Sequence, residues 1–574
     1  MAKKSIFETP LLSTKIKSAK AKLFPEGVIG YFLGPTLALI ANSVLANYLN
    51  QYMTDVLDMM TWAAWFVTWL PVVSVIFVVI GNILVGRLMD KSRTKAGKAR
   101  PLLLVAVPLS LLALLVLFVF SPAPTAGEAI DSTKIIILIL FAVGYNLWFA
   151  IAYPFYYTSH AALVGLSTRN SKDRSLLATI SNATTLAAMG LTTMILPFFI
   201  GILFVSDNGV INQTASLNAW RVFAIILVVV TFLGILVEYF FTRERVTEES
   251  FASGKVETKK SVSIKQQAKV CFKDKFWLII ILFFFLYQLG GMLKNVSQFY
   301  YAQSWFSKEG AYSKDIGGEY SGLLAILGAI PTALGMVIAW PLSNKIGKGK
   351  AILFGSILST IGGIIGFIAP ENFFVVAASF MIKAFGSTPA MYLSLALMAD
   401  ILDHQEAKHG FRTDGLTMTI YGAIMAGMTG IATGILNIAL NATGYNAAMI
   451  TAPTPELQTA MLWIFIGGET ICYALIAVIF IFMNVEKFGK QDHETIKERQ
   501  KAEALAAGEE WIEPEERLRL EEEESNRQAE EARKAELKAK CEKKGLNFEE
   551  EEAKYQAKLE AKMQAAEEKK NKKK

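Results

Sequence analysis

The chain has 574 residues, 53% of them hydrophobic and 19% charged, with a formal net charge of +7. A mean hydropathy of +0.39 excludes an ordinary soluble protein of this length, which would divide into several domains with polar surfaces. The positive balance does not point to nucleic acid. Residues 485–574 hold 22 basic and 25 acidic side chains, a net of −3, so the rest of the chain carries +10, concentrated in particular loops.

Apolar segments fall at about 28–52, 62–86, 101–121, 134–158, 177–204, 221–242, 276–306, 318–343, 351–369, 373–398, 416–442 and 459–484. Each has the length, about 20 residues, that crosses roughly 30 Å of hydrocarbon as a helix. The expected fold is therefore an all-α membrane protein of twelve transmembrane helices in contact with lipid. An even number places both termini on one side. No secretory signal is read, because residues 1–27 are polar and Lys-rich and the first apolar run is too long for a signal core. The cysteines (Cys271, Cys472, Cys541) and histidines (His160, His404, His409, His493) show neither a disulfide framework nor ligand spacing, so no metal site is expected.

Loop charge indicates the sidedness. Lys and Arg crowd the N-terminal segment, the loop after the second segment (Arg87, Lys91, Arg93, Lys95, Lys98, Arg100), the loop after the fourth (Arg169, Lys172, Arg174) and the stretch 243–275. Alternate loops are nearly bare, with no Lys or Arg in 121–133 or 205–220. Since basic loops stay inside, both termini are expected in the cytoplasm and the chain in the cell membrane. The basic stretch 243–275 divides the chain into an N-terminal segment 1–27, a six-helix half 28–242, a central loop, a second half 276–484 and a tail 485–574. Two six-helix halves are the plan of the major facilitator superfamily, with a substrate site at mid-membrane between them. The tail is half charged and lacks a sustained heptad, so it is expected to be helical or partly disordered, with a protein partner as one option.

Three charges interrupt the apolar windows: Lys294 in segment seven, Lys383 in segment ten and Glu469 in segment twelve. An ionisable group at a helix centre costs about 2.5–3.5 kcal/mol on insertion scales and so faces a partner or a wet cavity. These three are candidates for substrate binding or coupling; a structural pairing with Glu469 is the alternative. Asn42, Asn82, Trp148, Tyr153 and Gln298 join them, because aromatic faces and amide donors suit a polyol or sugar. Two charged loops form a candidate gate: Gly86, Asp90, Arg93, Lys98 and Arg100 in one, Asp400, Asp403, Glu406, Lys408 and Arg412 in the other. Asp55 closes the first segment and reads as interfacial. No P-loop, nucleophile elbow or metal cluster is visible, so neither an ATP motor nor an enzyme is expected.

These residues resemble the glycoside–pentoside–hexuronide:cation symporters, the family of the melibiose carrier. The similar stretches are Tyr52-Met-Thr-Asp-Val, Gly86…Asp90…Arg93…Gly97-Lys98…Arg100-Pro101, Tyr145-Asn-Leu-Trp148 with Tyr153-Pro-Phe155, and Ala399-Asp-Ile-Leu-Asp403…Glu406-Ala-Lys408…Arg412…Gly415. The resemblance covers about 28–484. It implies uptake of a sugar, glycoside or uronide by alternating access, coupled to a proton or sodium ion, and carries the family's loop lysine onto Lys408. Where the melibiose carrier has paired aspartates in its second span, this chain has Val78 and Asn82; a sugar-binding aspartate in the fourth falls on Ala152. The resemblance therefore implies a lost sodium site, favours the proton, and leaves Lys408 as an inner-gate residue paired with Asp403, Glu406 or Asp90. Lys294 and Lys383 favour an anionic solute. Other options are a carrier of lysolipid or another amphiphile, and a sensor or scaffold acting through the tail.

Overall fold

The computed structural model describes residues 12–18, 20–92, 94, 97–168, 171–207, 210–248, 263–306, 314–446, 453–506, 508, 511 and 514–557. Among them, twelve helices are long and apolar enough to cross a membrane. In chain order the first six are α1 (Leu23–Val56), α2 (Met59–Met89), α3 (Arg100–Val119), α4 (Ser132–Ser167), α5 (Leu176–Leu203) and α6 (Gln213–Phe241). The second six are α7 (Lys275–Phe306), α8 (Gly317–Ile346), α9 (Lys348–Gly366), α10 (Phe373–His409), α11 (Asp414–Ala442) and α12 (Pro455–Lys487). Each satisfies its own backbone hydrogen bonds, as a bilayer requires. Large apolar side chains such as Trp65, Ile76, Ile139, Val229, Val337, Ile364 and Phe374 stand exposed on the outer surface; in water so wide an apolar surface would drive association, whereas in lipid it is solvated.

The segments that precede α1 and follow α12 lie on one face of the bundle, here the terminal face; the other is the distal face. Toward the distal face the two halves share one hydrophobic core, in which Tyr52, Phe118 and Trp220 are continuous with Tyr300, Leu436, Tyr445 and Phe465. Toward the terminal face the core splits. One cluster holds Tyr31, Leu103, Leu163 and Tyr239 of the first half; another holds Phe276, Ile352, Leu397 and Phe480 of the second. The halves thus meet distally and part terminally. Small residues make the meeting close. A Cβ on Gly430 of α11 would lie 2.5 Å from the Pro71 carbonyl oxygen of α2, and one on Gly318 of α8 would lie 2.3 Å from the Pro197 oxygen of α5. Gly86, Gly165 and Gly422, nearer the terminal face, have no such neighbour within 4 Å.

Each half is fastened by the same device. Glu244, just past α6, accepts backbone hydrogen bonds from Lys98, Ala99 and Arg100 at the start of α3, at 2.7, 2.9 and 2.7 Å. Glu486, at the end of α12, accepts from Lys348 and Gly349 at the start of α9, at 2.8 and 2.9 Å. A carboxylate suits a helix N-terminus because unpaired N–H groups and the helix dipole converge there. Glycine precedes both starts, at φ +125° for Gly97 and +92° for Gly347. A Cβ there would lie 2.2 Å and 3.0 Å from the respective glutamate oxygens.

The tail is not solvated all round. Its first helix, α13 (Gly489–Ala506), packs on the terminal end of α10. Asp492 meets His404 at 2.8 Å, and Arg499 reaches both the carboxylate and the carbonyl of Glu406, at 2.9 and 2.7 Å. A second helix, α14 (Pro514–Lys544), follows; on it Arg533 pairs with Glu530 and Glu552 and lies 4.0 Å from the Tyr555 ring.

Candidate transport site and gate

The three intramembrane charges come together. Glycines allow it: a Cβ on Gly290 of α7 would sit 3.3 Å from the Glu469 Cα, and one on Gly468 of α12 would sit 3.0 Å from Leu293. The π-helical turn Trp463–Gly468 ends where Glu469 begins, the kind of wide turn that re-aims a side chain at functional positions. Lys383 Nζ approaches Glu469 Oε2 at 2.7 Å, and Lys294 Nζ approaches Oε1 at 3.8 Å. The shorter approach is an ion contact whose angles are poor for a hydrogen bond. Phe380 lies under both ammonium groups, at 5.1 Å from Lys294 and 6.0 Å from Lys383, and Phe465 lies 5.6 Å from Lys383; such rings add cation–π attraction. Lys383 and Glu469 are buried, whereas the Lys294 side chain is 25% exposed. Gly291, one turn from Lys294, has open space before it. With all three groups ionised, one positive charge is uncompensated, and it sits on the exposed side.

The other candidates divide. Trp148 Nε1 donates to Asn42 Oδ1 at 3.2 Å, joining α4 to α1. Tyr153 stacks on Tyr157 at 5.3 Å. Asn82 donates to the Val78 carbonyl of its own helix at 2.8 Å. Gln298 is buried, its amide donating to the Ser321 carbonyl of α8 at 2.8 Å.

Asp55 departs from the interfacial expectation. It is fully buried in the distal closure, where Tyr445 OH of the second half donates to it at 2.9 Å. Beside it Tyr300 OH receives the Asn50 amide at 3.0 Å and contacts the Thr54 hydroxyl at 2.8 Å. The Asn437 amide of α11 donates to the Val67 carbonyl of α2 at 2.9 Å. These bonds, all between the halves, hold the bundle closed on its distal face.

The expected gate residues on the terminal face are arranged otherwise. Arg100 is buried inside the first half: its guanidinium donates to the Tyr239 carbonyl at 3.0 and 3.2 Å and stacks 4.6 Å from the Tyr239 ring. Lys98 serves through its backbone N–H in the Glu244 cap. Gly86 faces open space. Arg93 and the side chain of Asp90 lie outside the described residues. Asp400 pairs with Lys348 at 2.5 Å. Lys408 is exposed and has no ion pair among the described residues. Its expected partners are taken: Asp403 by Arg412, and Glu406 by Arg499 at 2.9 Å and Arg412 at 3.8 Å. A guanidinium fork matches a carboxylate better than an ammonium does. The Asp414 hydrogen bond, joined by Asp403 and opposed by burial, holds the Arg412 pKa above its usual value. Among the described residues no group of three His, Cys, Asp or Glu is placed to hold a metal ion.

One buried cluster escaped the sequence. Glu238 of α6, wholly buried, accepts from Tyr156 OH and meets His160 Nδ1 of α4, both at 2.7 Å. His160 Nε2 meets Ser181 Oγ of α5 at 3.1 Å. The available signal was Tyr156 and His160 four residues apart on one helical face. Glu238, near the end of its apolar run, looked like a boundary charge.

Residues 30–487 match the model of a family described as MFS/sugar transport protein. An isoprimeverose transporter of Lactiplantibacillus pentosus is 25% identical over 80% of this chain and 88% of its own length. A glucuronide carrier protein homolog of Escherichia coli (strain K12) is 24% identical over 74% of this chain and 85% of its own. Among solved structures, a D-xylose-proton symporter superposes with a TM-score of 0.50 at 14% identity, over 78% of this chain and 94% of that one; at this identity the likeness concerns the fold. The family match extends over both six-helix halves, and with them the charge cluster and the distal gate: the chain belongs to the MFS/sugar transport protein family and is a multi-pass membrane transporter, not an enzyme.

Proposed function

We propose that this protein carries a sugar-like solute across the cell membrane by alternating access, driven by a proton and not by sodium. The observation that carries this reading is the pairing of a bonded distal gate with halves that part toward the terminal face, around a mid-membrane charge cluster open at Lys294. The basic loops support a cytoplasmic terminal face, which makes this conformation the inward-open one. Val78 and Asn82 offer no carboxylate for a sodium ion where the resembling carriers have two. The uncompensated charge at Lys294 favours an acidic glycoside over a neutral one, in keeping with a relative named as a glucuronide carrier; Phe380 beside it offers a face for a sugar ring.

The test is counterflow and gradient-driven uptake in proteoliposomes, with labelled isoprimeverose and methyl glucuronide as probes. The acidic probe is expected to exchange faster, and Lys294→Ala to lose that preference. Lys383→Ala should abolish transport of both, because breaking a buried pair costs about 3–5 kcal/mol. A correctly inserted protein that exchanges neither probe would sink the proposal.

A further inference from the structure

Glu469 and Glu238 are both buried within the bundle, and their neighbours differ in kind. Glu469 faces two ammonium groups, which can only donate. Glu238 faces one imidazole and one phenol. Imidazole is the side chain whose ordinary pKa lies within the physiological range. The bonds around it also work in either protonation state. With His160 neutral and its proton on Nδ1, Nδ1–H donates to Glu238 Oε1 and Nε2 accepts from the Ser181 hydroxyl. With His160 protonated, Nε2–H donates to Ser181 Oγ, and the hydroxyl turns its hydrogen away. Tyr156 OH donates to Glu238 Oε2 in both states. No buried hydrogen bond is forfeited when the proton arrives or leaves, where leaving one unmade costs about 1–3 kcal/mol.

The groups around the pair come from several packed elements. Tyr31 of α1 lies within electrostatic reach of Glu238, and beyond it Arg245 binds Glu26 at 2.8 Å. Arg100 of α3 lies within reach of Tyr31 but stacks on Tyr239. Tyr153, Tyr156 and Tyr157 belong to α4 and Ser181 to α5. α1 packs closely on α6 here, since a Cβ on Gly34 would lie 2.7 Å from the Glu238 backbone nitrogen. Tyr157 leads outward: its ring lies 6.2 Å from His160, it is 38% exposed, and across the cleft it is within electrostatic reach of Tyr421 of the second half.

We infer that the His160–Glu238 pair is the proton-binding site of the transport cycle, closed in this conformation behind Tyr157. The loaded pair is imidazolium and carboxylate, net neutral; release of the Nε2 proton past Ser181 leaves neutral imidazole and carboxylate, net −1. The charged state needs water, so it belongs to a conformation in which Tyr157 has moved. This assignment rests on the transporter reading above, and it separates proton and solute into different halves.

The experiment compares wild type, His160→Gln and Glu238→Gln as full chains in proteoliposomes, with methyl glucuronide or isoprimeverose, whichever the wild type exchanges. One proton per solute and one pH unit across the membrane support about a tenfold accumulation. The wild type should reach it; H160Q should equilibrate without accumulating while exchange stays near wild type. Accumulation by H160Q, or loss of exchange and accumulation together in a protein of unchanged thermal stability, overturns the assignment. Infrared difference spectra between acid and alkaline pH need no solute and so stand apart from the transport reading: the imidazole bands should lose the share of one of the chain's four histidines in H160Q, and bands of undiminished intensity overturn it. Should H160Q misfold, Ser181→Ala keeps the pair and removes only the Nε2 partner. The pH midpoint of uptake should then shift, and an unmoved midpoint is equally fatal.

Discussion

Tyr300 concentrates the closure of the distal gate in one hydroxyl. It is the common partner of Asn50 and Thr54, it lies beside Tyr445 and Asp55, and all of these are buried. Tyr300→Phe leaves two polar groups of α1 without that partner, at about 1–3 kcal/mol for each one left unsatisfied. The closed state should lose population to the distal-open one by a factor of about ten or more. Spin-label distances across the distal face would report it, and an unchanged distribution would refute the role given to Tyr300. The gate was illegible in the sequence for a definite reason: Asp55 and Tyr445 are 390 residues apart, and nothing local marks either as the other's partner. Lys294, Lys383 and Glu469 were legible because a single charge in an apolar window must be explained. His160 and Glu238 were not, because charges near the end of a span are ordinary.

Helix starts α3 and α9 show how an element inherits its stability from a distant residue. Gly97-Lys98 and Gly347-Lys348 look like loop punctuation; the positive φ and the oxygen beside each glycine show that they are sockets for Glu244 and Glu486. Twelve apolar windows and two equal halves could be counted from composition alone. That the ends of α6 and α12 return to fasten α3 and α9 could not, since it depends on a carboxylate meeting backbone N–H groups. Charged hydrogen bonds of this kind are worth about 1.5–3 kcal/mol. Glu486→Ala should therefore lower the melting temperature of the protein by several degrees, and Gly347→Ala should do the same by strain and by displacing Glu486. Differential scanning fluorimetry measures both. A melting temperature unmoved by E486A would show that the cap is dispensable.

For the molecule as a whole, the shared distal core and the divided terminal cores define the cleft. Gly86→Cys on α2 and Gly422→Cys on α11 should react with a membrane-impermeant maleimide added from the terminal side. Gly430→Cys, in the distal contact, should not. Labelling of the first two from the distal side alone would refute a cleft that opens on the terminal face. The tail was only half legible. Its charge suggested a solvated helix, and α14 bears mostly local ion pairs, but α13 meets α10 through His404 and through Glu406, which the sequence assigned to a gate with Lys408.

That docking makes α10 a lever. Its 37 residues form a rod about 55 Å long at 1.5 Å per residue, with Lys383 toward one end and the seat of α13 at the other. Pro389 lies between them, and an interior proline forfeits a backbone bond and loosens a helix locally. A load placed on α13, by a second protein or by a charged membrane surface, is therefore a torque about Pro389 on the helix that holds Lys383 against Glu469. The first tail helix and the intramembrane charge cluster thus share one helix, α10.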